Sequence, residues 1–280
     1  MRKETTVIVN GNDNYKIKRK LLITIILLIC AIIISAYSIN TYITSKKFAN
    51  EVNEFAKLNS KTVFSIDKIY LYSSANAINN EEKRPIWNVN IYQYTDIALY
   101  INNKSTEKLN YENSIKQLYI DNVKFSGLNT GNPSLYYKNI NDFAKFKIEK
   151  ENQITDKLEY KVLNDGDLDY SKPEIYADTS TPITLEYINS NIKENTILSD
   201  ITTDLKYDGT ILRKSAVILG DIKCTMSFNI TIINYYNQKF IATAYIEVPL
   251  EDSVTGETIY DGKIVKKVEN ANTIRFFRME

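Results

Sequence analysis

The chain has 280 residues, with 35 Lys and Arg against 34 Asp and Glu, two cysteines and no histidine. The balanced charge argues against a nucleic-acid partner, and the absence of histidine excludes His-dependent catalysis and His-ligated metal sites. We expect no cofactor, and the abundance of Asn, Ile, Lys and Tyr codons is typical of AT-rich bacterial genomes.

The first element is an apolar segment, Leu21–Ile39, which directly follows a basic cluster at residues 16–20. As a helix with a rise of ~1.5 Å per residue it spans about 28 Å, close to the ~30 Å hydrocarbon core of a bilayer. We therefore predict a transmembrane helix in contact with the lipid bilayer. The excess of Lys and Arg in residues 1–20 predicts a cytoplasmic tail, which leaves the remainder of the chain extracytoplasmic.

A cleaved signal peptide is the alternative interpretation of this segment. Ala36 and Ser38 are small residues in the spacing that signal peptidase requires, so cleavage after Ser38 would release a secreted protein. The apolar run is longer than the ~7–15 residues of a usual signal core, which favours an uncleaved anchor.

Residues 40–59 follow with a different pattern. Apolar side chains recur at spacings of four and three, at Phe48, Val52, Phe55 and Leu58, with charged residues between them. This spacing predicts a short amphipathic stalk helix that continues the membrane helix. Its apolar stripe is explained either by packing on the outer domain or by self-association.

The remaining residues, 60–280, predict a domain of antiparallel strands. Apolar residues alternate with polar ones along Ile222–Ile232, a turn follows at residues 237–239, and alternation resumes along Phe240–Pro249. This pattern predicts a long β-hairpin. Cys224 lies on the apolar side of the first strand and is expected to be a buried structural thiol, while Cys30 lies in the membrane segment.

Other candidate strands are less regular. We expect a break near Asp96 in the second of them, an interruption at Asp121-Asn122 in the third, and a short helix within Thr210–Leu219. The candidates share alternation over short stretches bounded by turn residues, and they are Val63–Tyr72, Ile86–Asn102, Ile115–Phe125, Lys157–Leu163, Ile183–Asn189, Thr196–Tyr207, Ile259–Val268 and Thr273–Phe277.

Many antiparallel strands with polar turns predict an antiparallel β-sandwich of Ig-like or jelly-roll type, behind the transmembrane helix and its stalk. A polar stretch at residues 150–156 marks a place where the domain would divide if it consisted of two halves.

One polar strand face is a candidate binding surface. Asn88, Asn90, Tyr92 and Tyr94 alternate along the second strand, so their side chains share one side. Tyrosine rings stack on the apolar faces of sugars and amides bond hydroxyl groups, which makes polysaccharide a candidate ligand. The same chemistry applies to Tyr136-Tyr137 and to Tyr235-Tyr236, although tyrosine also stabilises sheets through ordinary cross-strand pairs.

A loop with alternating carboxylates is a candidate calcium site. Asp165, Asp167 and Asp169 supply oxygen ligands at the spacing found in calcium loops. The loop does not fit an EF-hand, because Tyr170 and Tyr176 stand where glycine and glutamate are required. A solvated turn is the competing explanation.

Together these features predict a single-pass membrane protein whose outer β-domain is a non-catalytic binding or structural module of a bacterial cell envelope. The expected partners are the bilayer and an envelope protein or polysaccharide. The alternatives are a secreted protein and a hydrolase that needs no histidine, which would use a carboxylate pair or a Ser-Lys pair.

Overall fold

The computed structural model describes residues 11–60, 63–83, 86–103, 110–198, 207–250, 264–268 and 274–279. Helix α1 runs from Gly11 to Ser60 without a break and contains the whole apolar segment. No Pro or Gly falls within Leu21–Ile39, so no residue there removes a hydrogen bond of the helix. The predicted tail therefore becomes helical at Gly11, and its first ten residues lie outside the described part of the chain.

The apolar side chains of α1 are exposed on every side of the helix, from Leu21 to Ile39 and onward at Phe48 and Val52. A helix that is apolar all round and of this length could insert in a bilayer. Among the described residues, α1 is the one helix long and apolar enough to cross a membrane, and an N-terminal signal sequence would pass the same test.

The chain divides into two units, and the β-rich unit begins at Asn59. Its first sheet has five antiparallel strands in the order β10-β1-β2-β7-β4. The bounds of these strands are β1 Ser65–Lys83, β2 Ile86–Asn102, β4 Asn132–Tyr137, β7 Ile183–Leu198 and β10 Ile264–Val268.

The second sheet has six strands in the order β11-β9-β8-β3-β5-β6, and only the β5–β6 pair is parallel. The bounds are β3 Ile115–Ser126, β5 Lys157–Leu163, β6 Glu174–Tyr176, β8 Cys224–Asn234, β9 Lys239–Val248 and β11 Phe277–Met279. Strands β8 and β9 form the predicted hairpin, with Phe228 opposite Ala244. This confirms the alternation along these two segments.

The main core draws buried side chains from both sheets. Ile97 and Leu99 of β2 come from the first sheet, and Ile120 and Phe228 come from the second. Cys224 is 2% exposed within the same core, as predicted, and burial raises the pKa of its thiol. The fold therefore stands on hydrophobic burial and not on a disulfide.

Two short helices close one end of the first sheet. Helix α2 (Thr210–Lys214) begins where Asp208 Oδ1 accepts a hydrogen bond from the Thr210 N–H, at 3.0 Å. It confirms the helix predicted in this region, and α3 (Leu219–Ile222) follows it. Their apolar residues join strand residues in a second core that includes Val89, Ile91, Ile192, Ile211 and Ile222.

The face of the first sheet that points away from the main core is buried by residues 139–153, which we call the covering segment. It contains two turns of 3-10 helix, Ile140–Asp142 and Lys150–Asn152. Its Phe146 packs on the sheet against tyrosines of β2, and its end is fastened where the Ile154 N–H donates to the Leu135 carbonyl at 2.8 Å. Residues 150–156 thus lie inside the β-rich unit.

Two expectations about strand irregularity had different outcomes. A bulge in the β3–β8 pairing between Asp121 and Lys124 confirms the interruption there, and Asn122 has a φ of 53°. The break expected near Asp96 is wrong, because Asp96 pairs regularly with Glu186 and the shifts in β2–β7 register lie between Val89 and Gln93. Asp96 stays in the strand because its carboxylate has buried partners.

The other predicted strands were placed with varying accuracy. Strands β2 and β5 have the predicted bounds, whereas β1 and β7 continue well beyond theirs. Strand β4 was missed, because no candidate strand was predicted between residues 126 and 156. Most of the candidate strand Thr196–Tyr207 lies outside the described residues.

Candidate functional site

The predicted polar face of β2 lies on the covered side of the first sheet. Its two asparagines are half-buried and belong to a group of four amides. Asn80 Nδ2 donates to Asn90 Oδ1 at 2.9 Å and to Asn88 Oδ1 at 3.3 Å, and it lies 3.1 Å from Asn195 Oδ1. The side-chain oxygens of Asn88, Asn90 and Asn195 therefore share one amide donor.

The two tyrosines of the same face are buried. Tyr92 is 8% exposed and Tyr94 is 3% exposed, and their ring centroids lie 5.3 and 5.5 Å from that of Phe146. Burial is also the main cause of the raised pKa of both hydroxyl groups. A sugar could stack on these rings only if the covering segment moved, so binding by Asn88, Asn90, Tyr92 and Tyr94 stays a prediction.

The carboxylates of the candidate calcium loop point to different partners. Asp165 and Asp167 are exposed, whereas Asp169 accepts hydrogen bonds from Ser171 and pairs with Lys172 at 2.9 Å. These hydrogen bonds lower the pKa of Asp169 to about 2. Within the described ranges, no three carboxylate or thiolate side chains lie together as metal ligands. The calcium site stays a prediction.

A buried charge cluster lies under the covering segment, and the sequence did not predict it. Asp96 of β2 and Glu186 of β7 are directly opposite each other in the strand register, and Lys138 follows the end of β4. Lys138 Nζ lies 2.9 Å from Glu186 Oε1 and 3.7 Å from Asp96 Oδ1. None of the three side chains is more than 4% exposed.

The electrostatics of the cluster follow from one cation between two acids. Burial raises the pKa of Asp96 to about 6 and that of Glu186 to about 8, while the Lys138 charge opposes both shifts. With all three groups ionised the cluster would carry one net negative charge away from water. A single proton on Glu186 at neutral pH removes that charge.

The same cluster fastens the covering segment to the sheet. Asp96 Oδ2 accepts a hydrogen bond from the Ala144 N–H at 2.6 Å, and Lys138 Nζ donates to the Lys145 carbonyl at 2.7 Å. Ala144 adopts a φ of 62°, which is uncommon outside glycine. Paired acids with raised pKa values can serve in acid–base catalysis, but here both are closed off from solvent, Asp96 by its bond to the Ala144 backbone and Glu186 by its pairing with Lys138.

A second unpredicted arrangement is exposed. Tyr111, Tyr235 and Tyr236 meet where the turn after β8 approaches the turn before β3. The ring centroid of Tyr111 lies 5.9 Å from that of Tyr235 and 6.1 Å from that of Tyr236. We call these three residues the tyrosine cluster.

Sequence signals for these two arrangements differ in strength. Tyr235-Tyr236 were recognised as candidates, but Tyr111 is distant in sequence and only the fold adds it. For the buried cluster, the available signal was an acid next to apolar residues in each of two strands, Asp96 before Ile97 and Glu186 after Leu185. No sequence pattern pairs them with Lys138.

Comparison of the chain with protein-family models, curated proteins and solved structures finds no match in any of the three.

Proposed function

We propose that this chain is a single-pass membrane protein that holds a non-catalytic binding or structural module outside the cytoplasm, in a bacterial cell envelope. The observation that carries the proposal is the unbroken α1 helix, Gly11–Ser60. Its 50 residues extend about 75 Å at ~1.5 Å per residue, more than twice the ~30 Å hydrocarbon core. The helix is long enough to span the bilayer and to continue as a stalk.

The orientation is supported by the basic residues that precede the apolar segment. Lys16, Lys18, Arg19 and Lys20 lie within one helical turn or so of Leu21. Because such clusters remain on the cytoplasmic side, the β-rich unit is assigned to the opposite side. The proposal keeps the predicted sandwich class, Ig-like or jelly-roll, and its support is the core shared by the two sheets.

The non-catalytic assignment has two supports. The chain has no histidine, and the one buried acid pair that we identify in the described residues is closed under the covering segment. One observation favours a hydrolase as the second candidate. Asp96 and Glu186 face each other across two strands, and the raised pKa of Glu186 is the property that the general acid of a glycosidase pair needs.

The anchor is tested by fractionating cells and sequencing the N-terminus of the recovered protein. We expect the wild-type chain and Ala36→Leu to remain in the membrane after an alkaline wash, both with the apolar segment intact. Ala36→Leu removes the small residue three positions before the alternative cleavage site. A soluble wild-type product that starts at Ile39, and that this substitution abolishes, would instead establish secretion.

The hydrolase candidate is tested on the same membrane preparation with a panel of glycoside and ester substrates. We expect no turnover above the background of membranes that lack the protein. Turnover that disappears in both Asp96→Asn and Glu186→Gln would contradict the non-catalytic assignment and identify the acid pair as the active site.

A further inference from the structure

The tyrosine cluster keeps large ring surfaces in water. Tyr111 is 66% exposed and Tyr236 is 59% exposed, while Tyr235 is half-buried between them and the domain. The planes of Tyr111 and its two neighbours are inclined at 49° and 64°, so the rings offer several faces instead of one flat platform. Contiguous exposed apolar surface of this kind commonly marks an interaction site.

The two turns that carry the rings are fixed by a buried amide. Asn234 is fully buried, and its Nδ2 donates to the Glu112 carbonyl at 3.0 Å, which ties the two turns together. Its Oδ1 accepts from the N–H groups of Tyr236 and Gln238. A backbone hydrogen bond of 3.1 Å from Tyr235 to Tyr111 adds a second tie. The rings are thus positioned before any ligand arrives, which lowers the ordering cost of binding.

The polar groups around the rings include two amides, Asn164 and Asn237. Tyr235 OH donates to Asn164 Oδ1 at 3.1 Å, and Lys116 Nζ donates to Asn237 Oδ1 at 2.8 Å. Glu112 and Lys116 lie near the two turns, are exposed and have opposite charges. This composition offers hydrogen bonds without a net charge, so it suits a neutral ligand better than a phosphate or a cation.

We infer that the tyrosine cluster binds a neutral glycan, with its rings stacked on apolar sugar faces and the neighbouring amides bonded to sugar hydroxyls. Tyrosine suits this task because it has an apolar body and a polar tip. The inference rests on the proposed function, because an extracytoplasmic module is the one that meets envelope glycans. It is separate from the covered face of β2, where sugar binding stays a prediction.

The test measures binding of full-length protein in lipid nanodiscs to chitotetraose and cellotetraose, with tetragalacturonate as an anionic probe. We expect one or both neutral probes to bind, and Tyr111→Ala and Tyr236→Ala each to weaken binding about tenfold, the effect of losing one stacked ring. The matched control is Tyr245→Ala, which removes a 71% exposed tyrosine on β9 and should leave affinity unchanged. Thermal unfolding of each variant checks that the fold is intact.

Three outcomes would overturn the inference. These are the failure of wild-type protein to bind either neutral probe, stronger binding of tetragalacturonate, and equal loss in Tyr111→Ala and Tyr245→Ala. A change in sedimentation mass on Tyr111→Ala, without glycan binding, would assign the cluster to self-association. Each result leaves the membrane anchor intact, so it is distinct from failure of the proposed function, which the fractionation detects.

Discussion

At the scale of single residues, the most consequential side chain is Lys138, because it is the cation shared by two buried acids. Burying a charge is costly, and the cost is recovered only when partners and hydrogen bonds are in place. Lys138 Nζ satisfies this condition through Glu186, Asp96 and the Lys145 carbonyl. Its removal would leave two acids buried without a counter-charge.

We therefore expect Lys138→Met to lower the free energy of unfolding by about 3–5 kcal/mol. Urea denaturation of the purified protein in detergent measures this, with Trp87, the single tryptophan, as the fluorescence probe. Lys172→Met is the control, because Lys172 is 69% exposed and its pair with Asp169 is solvated. Similar stabilities for the two variants would show that the buried pairing does not hold the domain together.

At the scale of elements, the covering segment depends on the protonation of the cluster beneath it. The pKa values of Asp96 and Glu186 are raised in the folded protein, so folding favours their protonated forms. An acid whose pKa is higher in the folded protein than in the unfolded chain contributes stability at low pH. This contribution is lost as the pH rises from the pKa of the unfolded chain through the pKa of the folded protein. The affected window runs from about pH 4 to about pH 8.

We expect the unfolding midpoint to fall as pH is raised from 5 to 8, and this fall to be smaller in Glu186→Gln. Glutamine keeps an acceptor for Lys138 Nζ but has no proton to lose. Between pH 5 and pH 8 the wild type should lose on the order of 2 kcal/mol more stability than the variant. Circular dichroism across this pH range is the measurement. Glu159→Gln, on an exposed acid of β5, is the control and should follow the wild type. Parallel curves of unfolding midpoint against pH for all three proteins would contradict a role for Glu186 protonation in stability.

The strands differ in how far they could be predicted from sequence. Strands β8 and β9 were predictable because their alternation has one buried and one solvated face. Strand β4 was not, because it is short and is identified only by its pairing with β7. Asp96 was expected at a bulge or break because Ile86–Asn102 is long for one strand. Its partners, Lys138 and the Ala144 N–H, come from a different part of the chain.

The candidate sites likewise depend on contacts between residues that are distant in sequence. Tyr92 and Tyr94 share a strand face, as alternation requires, but that face is closed by Phe146, which no local pattern associates with them. Tyr235-Tyr236 lie in a turn, where exposure was predictable, and the fold alone brings Tyr111 to them. Exposure of a polar face depends on long-range contacts, and sequence periodicity reports only local ones.

At the scale of the whole molecule, the proposed topology has α1 crossing the bilayer and the β-rich unit outside the cytoplasm. The native cysteines suit a labelling test, because Cys224 is buried in the core and Cys30 lies in the apolar segment. A cysteine introduced at an exposed position therefore dominates the reaction with a membrane-impermeant maleimide. Ile218, 67% exposed between α2 and α3, is suitable on the β-rich unit. Asn14→Cys reports the other side and keeps every basic residue.

Labelling of intact cells tests this claim most directly. We predict that Ile218→Cys reacts in intact cells, whereas Asn14→Cys reacts only after the membrane is permeabilised. The wild-type chain, which has only its two shielded cysteines, sets the background. Labelling of Asn14→Cys in intact cells, with Ile218→Cys protected, would contradict the orientation and with it the assignment of the β-rich unit to the cell envelope.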